Sequence, residues 1–181
     1  PLGPTSYGDS PYQSFSAFAG NPYYIDLQLL TEQGLLQPGE AAAPDWGLRP
    51  DWVDYAKLYA NRFLVLKKAW SRSRWEQDTD FSDFCRKNRT WLEDYALFMA
   101  LKDSFGGREW QAWPEEIRLR RPAALADWQK RLRQETIFWK YVQYLFFSQW
   151  ERLKDYANQK GIRMIGDIPI YVAMDSADIW I

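Results

Sequence analysis

Beyond Gly161 the chain changes its period. Ile162, Met164, Ile165, Ile168, Ile170 and Val172 leave no polar face, the pattern of a parallel strand covered on both sides. The residues before it are helical in period, and a helix, a short glycine turn and a buried strand make an α/β unit. Such a strand is not stable alone. Nothing else in the sequence reads as a convincing buried strand, the nearest being the stub at Pro1-Leu2, and no methionine opens the chain. The expectation is therefore a piece of a larger protein whose other strands lie before Pro1 and after Ile181. Two acids accompany the apolar run, Asp167 and Asp175. An unpaired carboxylate is costly on a doubly covered strand, so Asp167 belongs at the strand end or beside partners. In α/β barrels the carboxyl ends of strands are where substrate is handled.

Composition removes several chemistries. The chain has 181 residues, enough for one domain or a large piece of one, and no histidine. Without histidine there is no Ser-His-Asp or Cys-His catalysis and few ways to hold zinc, which leaves carboxylates, Tyr and Lys for acid-base work. Lys and Arg number 23 against 24 Asp and Glu, so no overall basic field favours nucleic acid. The single cysteine, Cys85, excludes an intrachain disulfide. No apolar run approaches the roughly 20 residues of a membrane-spanning helix, and no signal peptide opens the chain. The expected location is the cytoplasm. Aromatic residues reach 18%, a content that suits helix packing and sugar-binding clefts alike and so decides between neither.

Residues 1–24 carry Gly, Pro, Ser and Tyr in a density that predicts a long ordered loop, and Phe15 and Phe18 set it apart from a disordered linker. Long ordered loops in compact domains are usually functional. A short helix is expected over about 25–33, with Gly34 just past its end, and a second loop over 37–50. A helix from about Trp52 to Arg74 should bury Tyr55, Leu58, Tyr59, Phe63 and Leu66. Asp80 or Ser82 is placed to cap a short helix through Cys85. Thr90 is placed to cap another through Lys102, with Trp91, Tyr95, Phe98 and Met99 on one face and Gly106-Gly107 as its stop. Trp110 to Glu116 makes a short turn. One long helix is expected from Pro122 to about Gln159, apolar on several sides and closed by Gly161.

Two polar clusters stand out. In Tyr7-Gly-Asp-Ser10-Pro-Tyr12-Gln13-Ser14 the Tyr12 ring suits the face of a sugar, with Ser10 and Gln13 offering hydrogen bonds to hydroxyls. The same residues also suit an Asx or Pro turn in which Asp9 and Ser10 satisfy the loop backbone. Asp167 suits a ligand-orienting carboxylate or a turn. Asp175-Ser-Ala-Asp178 has the form of a helix cap with a first-turn acid, and Cys85 that of a small buried hydrophobe.

Ser10-Pro-Tyr-Gln-Ser-Phe-Ser-Ala-Phe-Ala-Gly-Asn-Pro22 and Gly166-Asp-Ile-Pro-Ile-Tyr-Val172 with Asp175-Ser-Ala-Asp-Ile-Trp180 closely resemble 4-alpha-glucanotransferases, the amylomaltases or disproportionating enzymes of glucan metabolism. Trp91 to Phe98, Trp110 to Glu116 and Tyr144 to Trp150 match the same family, so the resemblance runs end to end. It implies an α/β fold, a fragment of a (β/α)8 TIM barrel. Residues 1–25 would form a barrel strand end and substrate loop, 26–160 a mainly helical insertion, and 161–181 a barrel strand and the loop after it. It also implies transfer of α-1,4-glucan segments to an acceptor sugar with retention of configuration, with maltooligosaccharides as partners and no cofactor. The nucleophile of the family sits in an Arg-x-Asp-His-Phe run, and a glutamate acid/base follows it. This chain has no such run and no histidine, so the catalytic pair is expected beyond Ile181 and no catalytic residue within the chain. By motif match, Tyr12 resembles the aromatic platform under the sugar at the cleavage point. Asp167 resembles a polar ligand at a strand end, Ser10 part of the same wall, and Tyr7 a tyrosine of a more remote glucan contact. Trp139 departs from the histidine common in the family. Readings of another class are a non-catalytic glucan-binding module and a helical interaction module.

Overall fold

In a computed structural model of the chain, residues 2–10, 12–49, 51–167 and 171–181 are described. Eight α-helices carry the described residues: α1 (Leu27–Glu32), α2 (Tyr55–Arg72), α3 (Thr79–Lys87), α4 (Arg89–Ser104), α5 (Glu115–Arg118), α6 (Pro122–Arg131), α7 (Arg133–Gln159) and α8 (Ala177–Trp180). Short 3-10 turns fill in between, among them Tyr7–Asp9, Pro22–Tyr24 and Trp110–Ala112. Among the described residues no strand forms, and the only extended pairing is an isolated antiparallel bridge between Thr5 and Ser14.

Helix α4 is the axis of the core. Every residue from Tyr95 to Lys102 is buried, and a helix apolar on all sides needs neighbours on all sides. It lies along α7, with α3 and α8 also against it, while α2 packs on α7. Phe98 is fully buried and meets Phe15, Trp113 and Trp180 at centroid separations of 6.3, 5.4 and 6.0 Å. Tilted rings at these distances are worth something beyond the area they bury. The high aromatic content is thus largely spent on helix packing.

Helix ends follow the glycines. Gly34, Gly106 and Gly161 all have φ between 66° and 75°, a region that costs other residues a Cβ clash. At each of them the two backbone bonds of a Schellman motif close the helix: Leu35 N–H to Leu30 O and Gly34 N–H to Thr31 O, Gly107 to Lys102 and Gly106 to Asp103, Ile162 to Ala157 and Gly161 to Asn158. Helix starts differ from the expectation. Asp54 caps α2, Asp78 rather than Asp80 or Ser82 caps α3, and Asn88 rather than Thr90 precedes α4.

Three further expectations change. The single helix over 122–159 is two, broken at Leu132 (φ −100°, ψ 27°), whose side chain packs against the core. The face that α2 buries is Arg62, Val65, Leu66 and Ala69, with Tyr55 and Tyr59 turned to solvent. The segment 162–167 forms no strand: Ile162, Met164 and Ile165 are exposed, Ile165 almost entirely. The physical reason is the one that makes an isolated strand unstable, since among the described residues no neighbouring strand takes up its backbone groups. Ile168 and Ile170 lie outside the described residues, as does Pro1 of the stub.

Cys85 is half-buried against the core, and burial pushes its thiol up to about 11. Alkylation by iodoacetamide at pH 8 should therefore run roughly 100-fold slower than at an exposed cysteine of ordinary acidity. Labelling at the rate of a free cysteine would contradict this placement.

Candidate functional site

Among its described residues the N-terminal loop has only two 3-10 turns and one isolated bridge of its own, so other elements must hold it. Gln143 on α7 is fully buried and grips Gly20 from both sides. Its Oε1 accepts from the Gly20 N–H at 2.7 Å, and its Nε2 donates to the Gly20 carbonyl at 3.0 Å. Gln149, on the same helix, repeats this at Asp26, at 2.7 and 3.1 Å. The buried Arg62 of α2 donates to the carbonyls of Pro22 and Ile25, and burial lowers its guanidinium to about 10. From the other end of the chain, Asp178 accepts the Ala17 N–H at 2.7 Å, and the Ala177 N–H reaches the Phe15 carbonyl at 2.9 Å.

Fixed in this way, residues 6–13 fold back on themselves. Ser6 donates to the Gln13 carbonyl through its N–H at 3.0 Å and its hydroxyl at 2.6 Å. Gly8 and Asp9 both take positive φ, 64° and 54°. Ser10 Oγ accepts from the Tyr12 N–H at 3.3 Å, and the Gln13 N–H donates to the Ser10 carbonyl at 3.2 Å. Ser10 thus does satisfy loop backbone, as the turn reading requires. The same turn presents Tyr12 outward, 56% exposed.

Ser6, Ser10, Tyr12 and Gln13 form one wall of a cavity of about 770 Å³. The facing wall is the irregular segment Tyr171 to Asp175, and Phe15, Lys102 and Glu109 also line the space. That volume suits a small ligand of several rings. The tyrosines, hydroxyls and amide give it apolar ring faces beside hydrogen-bonding groups, the combination a hydroxylated ring needs.

The facing wall is anchored by groups that spacing in the sequence does not connect. Asp175 takes the Lys102 ammonium at 2.5 Å and the Trp110 N–H at 3.1 Å. The Trp110 indole donates to the Met174 carbonyl at 2.9 Å, and the Ala173 N–H to the Ser14 carbonyl at 3.3 Å. Asp175 is therefore a tether, and Asp178 reaches across to Ala17; neither caps α8, whose N-cap Ser176 makes no side-chain capping bond.

Of the four expected site residues, the structure brings Ser10 and Tyr12 together. Asp167 is apart from them. It is exposed and lines a different cavity of about 740 Å³ with Leu2, Phe18, Phe146 and Trp150. The backbone of Tyr7 belongs to the turn Tyr7–Asp9, and its side chain lies outside what the structure describes. Lys102 was missed by sequence reasoning because a lysine near a helix C-terminus is usually solvated and interacts only with the helix dipole. Among the described residues no group of three or more His, Cys, Asp or Glu side chains is placed to hold a metal ion, and no helix is long and apolar enough to cross a membrane.

Residues 1–181 match the family described as 4-alpha-glucanotransferase. The 4-alpha-glucanotransferase of Clostridium butyricum is 47% identical over 180 residues, covering 99% of this chain and 37% of that protein. That of Thermus thermophilus is 48% identical over 184 residues, with 99% and 36% covered. Among solved structures, an amylomaltase from Streptococcus agalactiae in complex with acarbose superposes with a TM-score of 0.91 at 42% identity, covering 99% of this chain and 37% of that one. The chain thus spans 36–37% of the length of these relatives.

Proposed function

Since this chain belongs to the 4-alpha-glucanotransferase family, we propose that it supplies part of the donor-glucan site of a cytoplasmic enzyme that moves α-1,4-glucan segments to an acceptor sugar. The observation that carries the proposal is the cavity between Tyr12 and the segment 171–175. Tyr12 offers its ring face to a glucose unit, and Ser10 and Gln13 meet its hydroxyls.

The chemistry we propose is a retaining double displacement. A carboxylate attacks the anomeric carbon while an acid protonates the departing 4-oxygen. The acceptor's 4-hydroxyl then attacks the glycosyl-enzyme and gives its proton to the same acid/base group. The two carboxyl groups must lie about 5–5.5 Å apart across the scissile bond. Asp175 is committed to Lys102 and Trp110, and Asp167 lines another cavity. By the family resemblance, whose Arg-x-Asp-His-Phe run is absent here, we place the catalytic pair in the part of the protein outside this chain. The acarbose complex of the Streptococcus agalactiae relative supports a glucan-like ligand.

The proposal includes a (β/α)8 barrel. Residues 1–25 and 161–181 would be strand ends and loops, and 26–160 the helical insertion. The exposed run 162–167 would become a strand once partner strands flank it, and Asp167 would then face the glucan from its end. Tyr7 would belong to a more remote glucan contact. The test is maltotriose disproportionation by the complete polypeptide that carries this chain. Tyr12→Ala should lower kcat/KM about 30-fold, the equivalent of roughly 2 kcal/mol of lost ring contact. Unchanged kinetics in that variant would reject the cavity as the donor site. Glucan binding without any transfer would favour a non-catalytic binding module.

A further inference from the structure

We propose that Lys102 is a positioning residue for the glucan cavity, holding the wall Tyr171 to Asp175 in register with Tyr12. This rests on the reading of that cavity as a glucan site.

A lysine of 8% exposure needs a reason, because a buried cation is costly unless it is paired. Lys102 follows seven buried residues near the end of α4, and its side chain is only 9% exposed where it lines the cavity. It bonds Asp175 at 2.5 Å and the Arg108 carbonyl at 3.2 Å, and lies 5.3 and 5.9 Å from the ring centroids of Phe15 and Phe98. Cations are favoured at such ring faces. These four partners present negative charge or partial charge to the ammonium, and one of them belongs to the wall.

The wall is held at its C-terminal side by the buried start of α8, where Ala177 and Asp178 bond Phe15 and Ala17, and less so within residues 171–174. Tyr171 and Met174 are 74% and 70% exposed, and the segment has no ladder of backbone bonds. Apart from Lys102 and α8, its anchors are the Trp110 N–H on the Asp175 carboxylate, the Trp110 indole and Gln111 amide on the Met174 carbonyl, and the bond from the wall's own Ala173 N–H to the Ser14 carbonyl. The Lys102–Asp175 contact alone joins two full charges, which makes it the strongest of the set. Asp175 keeps partial access to water and its bond from Trp110, so removal of the ammonium should loosen the wall without unfolding α4.

The test uses the complete polypeptide, with maltotriose as the donor and folding checked by near-UV circular dichroism. Lys102→Met should raise KM at least about tenfold with kcat within about threefold, since binding geometry rather than the reacting carboxylates is disturbed. Lys102→Arg, which restores the charge, should recover most of the loss. Asp175→Asn should raise KM at least as much as Lys102→Met, since it also leaves the buried ammonium without its counter-charge, and the double variant should be no worse than Asp175→Asn, as expected for two residues acting as a unit. A KM within twofold of the parent in Lys102→Met, or a lowered melting temperature alone, overturns the proposal. If Lys102→Met does not fold, Asp175→Asn carries the same decision. Tyr12→Ala separates the two levels: if it too is without effect, the cavity itself is misassigned, whereas an impaired Tyr12→Ala beside a normal Lys102→Met rejects only the role of Lys102.

Discussion

Gln143→Leu is expected to destabilise the folded polypeptide by about 4 kcal/mol and to lower its melting temperature by about 10 °C. The side chain is fully buried, and both of its hydrogen-bonding ends are used by Gly20, itself buried. Leucine fills a similar volume but offers neither donor nor acceptor. The Gly20 N–H and carbonyl would then be desolvated and unpaired, each at about 1–3 kcal/mol. A domain typically has only about 5–15 kcal/mol to lose. Gln149→Leu is the internal control: it makes the same pair of bonds at Asp26, in an exposed setting where water replaces them, and should cost about 1 kcal/mol. Urea unfolding of the two variants checks the difference, and equal losses would show that burial is not what makes Gln143 important.

Gly20→Ala is the second large effect, through shape rather than bonding. A Cβ built on Gly20 would sit 1.9 Å from Cδ1, 2.1 Å from Cε1 and 2.4 Å from Cγ of Phe146. The ring is itself 5% exposed on α7 and can shift only toward the cavity it lines with Phe147 and Trp150. Either the ring leaves its place or the loop lifts off Gln143. Overpacking of this kind costs about 3 kcal/mol. Phe146→Ala alone should cost a comparable 3–5 kcal/mol by leaving a cavity. Combined with Gly20→Ala, it should cost less than the sum, because each change relieves the other. Additive losses would mean that the two residues do not meet.

These sites mark the limit of what the sequence revealed. Helix ends were legible wherever glycine adopts a left-handed conformation, as at Gly34, Gly106 and Gly161, since the residue type and the backbone requirement coincide. The irregular character of the loop over 1–24 was legible from its turn residues, whereas the exposure of Tyr12 was not read from them. The break at Leu132 was not, because no glycine or proline lies between 123 and 160 to mark it. The buried face of α2 was misjudged because Tyr55 and Tyr59 weigh as apolar by type, whereas the helix turns Arg62 inward to bind loop carbonyls. Gln143 and Lys102 were invisible for a related reason: a polar residue on a helix reads as solvent-facing until its partner, here 123 or 73 residues away, is known. The apolar run after Gly161 was read as a strand, and its described part over 162–167 forms none. In this chain it is exposed over 162–167.

The central claim, that Tyr12 and its facing wall form a glucan site, is tested most directly by a crystal structure of the complete polypeptide with a bound maltooligosaccharide. The account predicts a glucose ring stacked on Tyr12, its hydroxyls within hydrogen-bond distance of Ser10 or Gln13, and the Lys102–Asp175 pair intact behind the opposite wall. A glucan bound elsewhere, with this cavity filled by other parts of the protein, would contradict it.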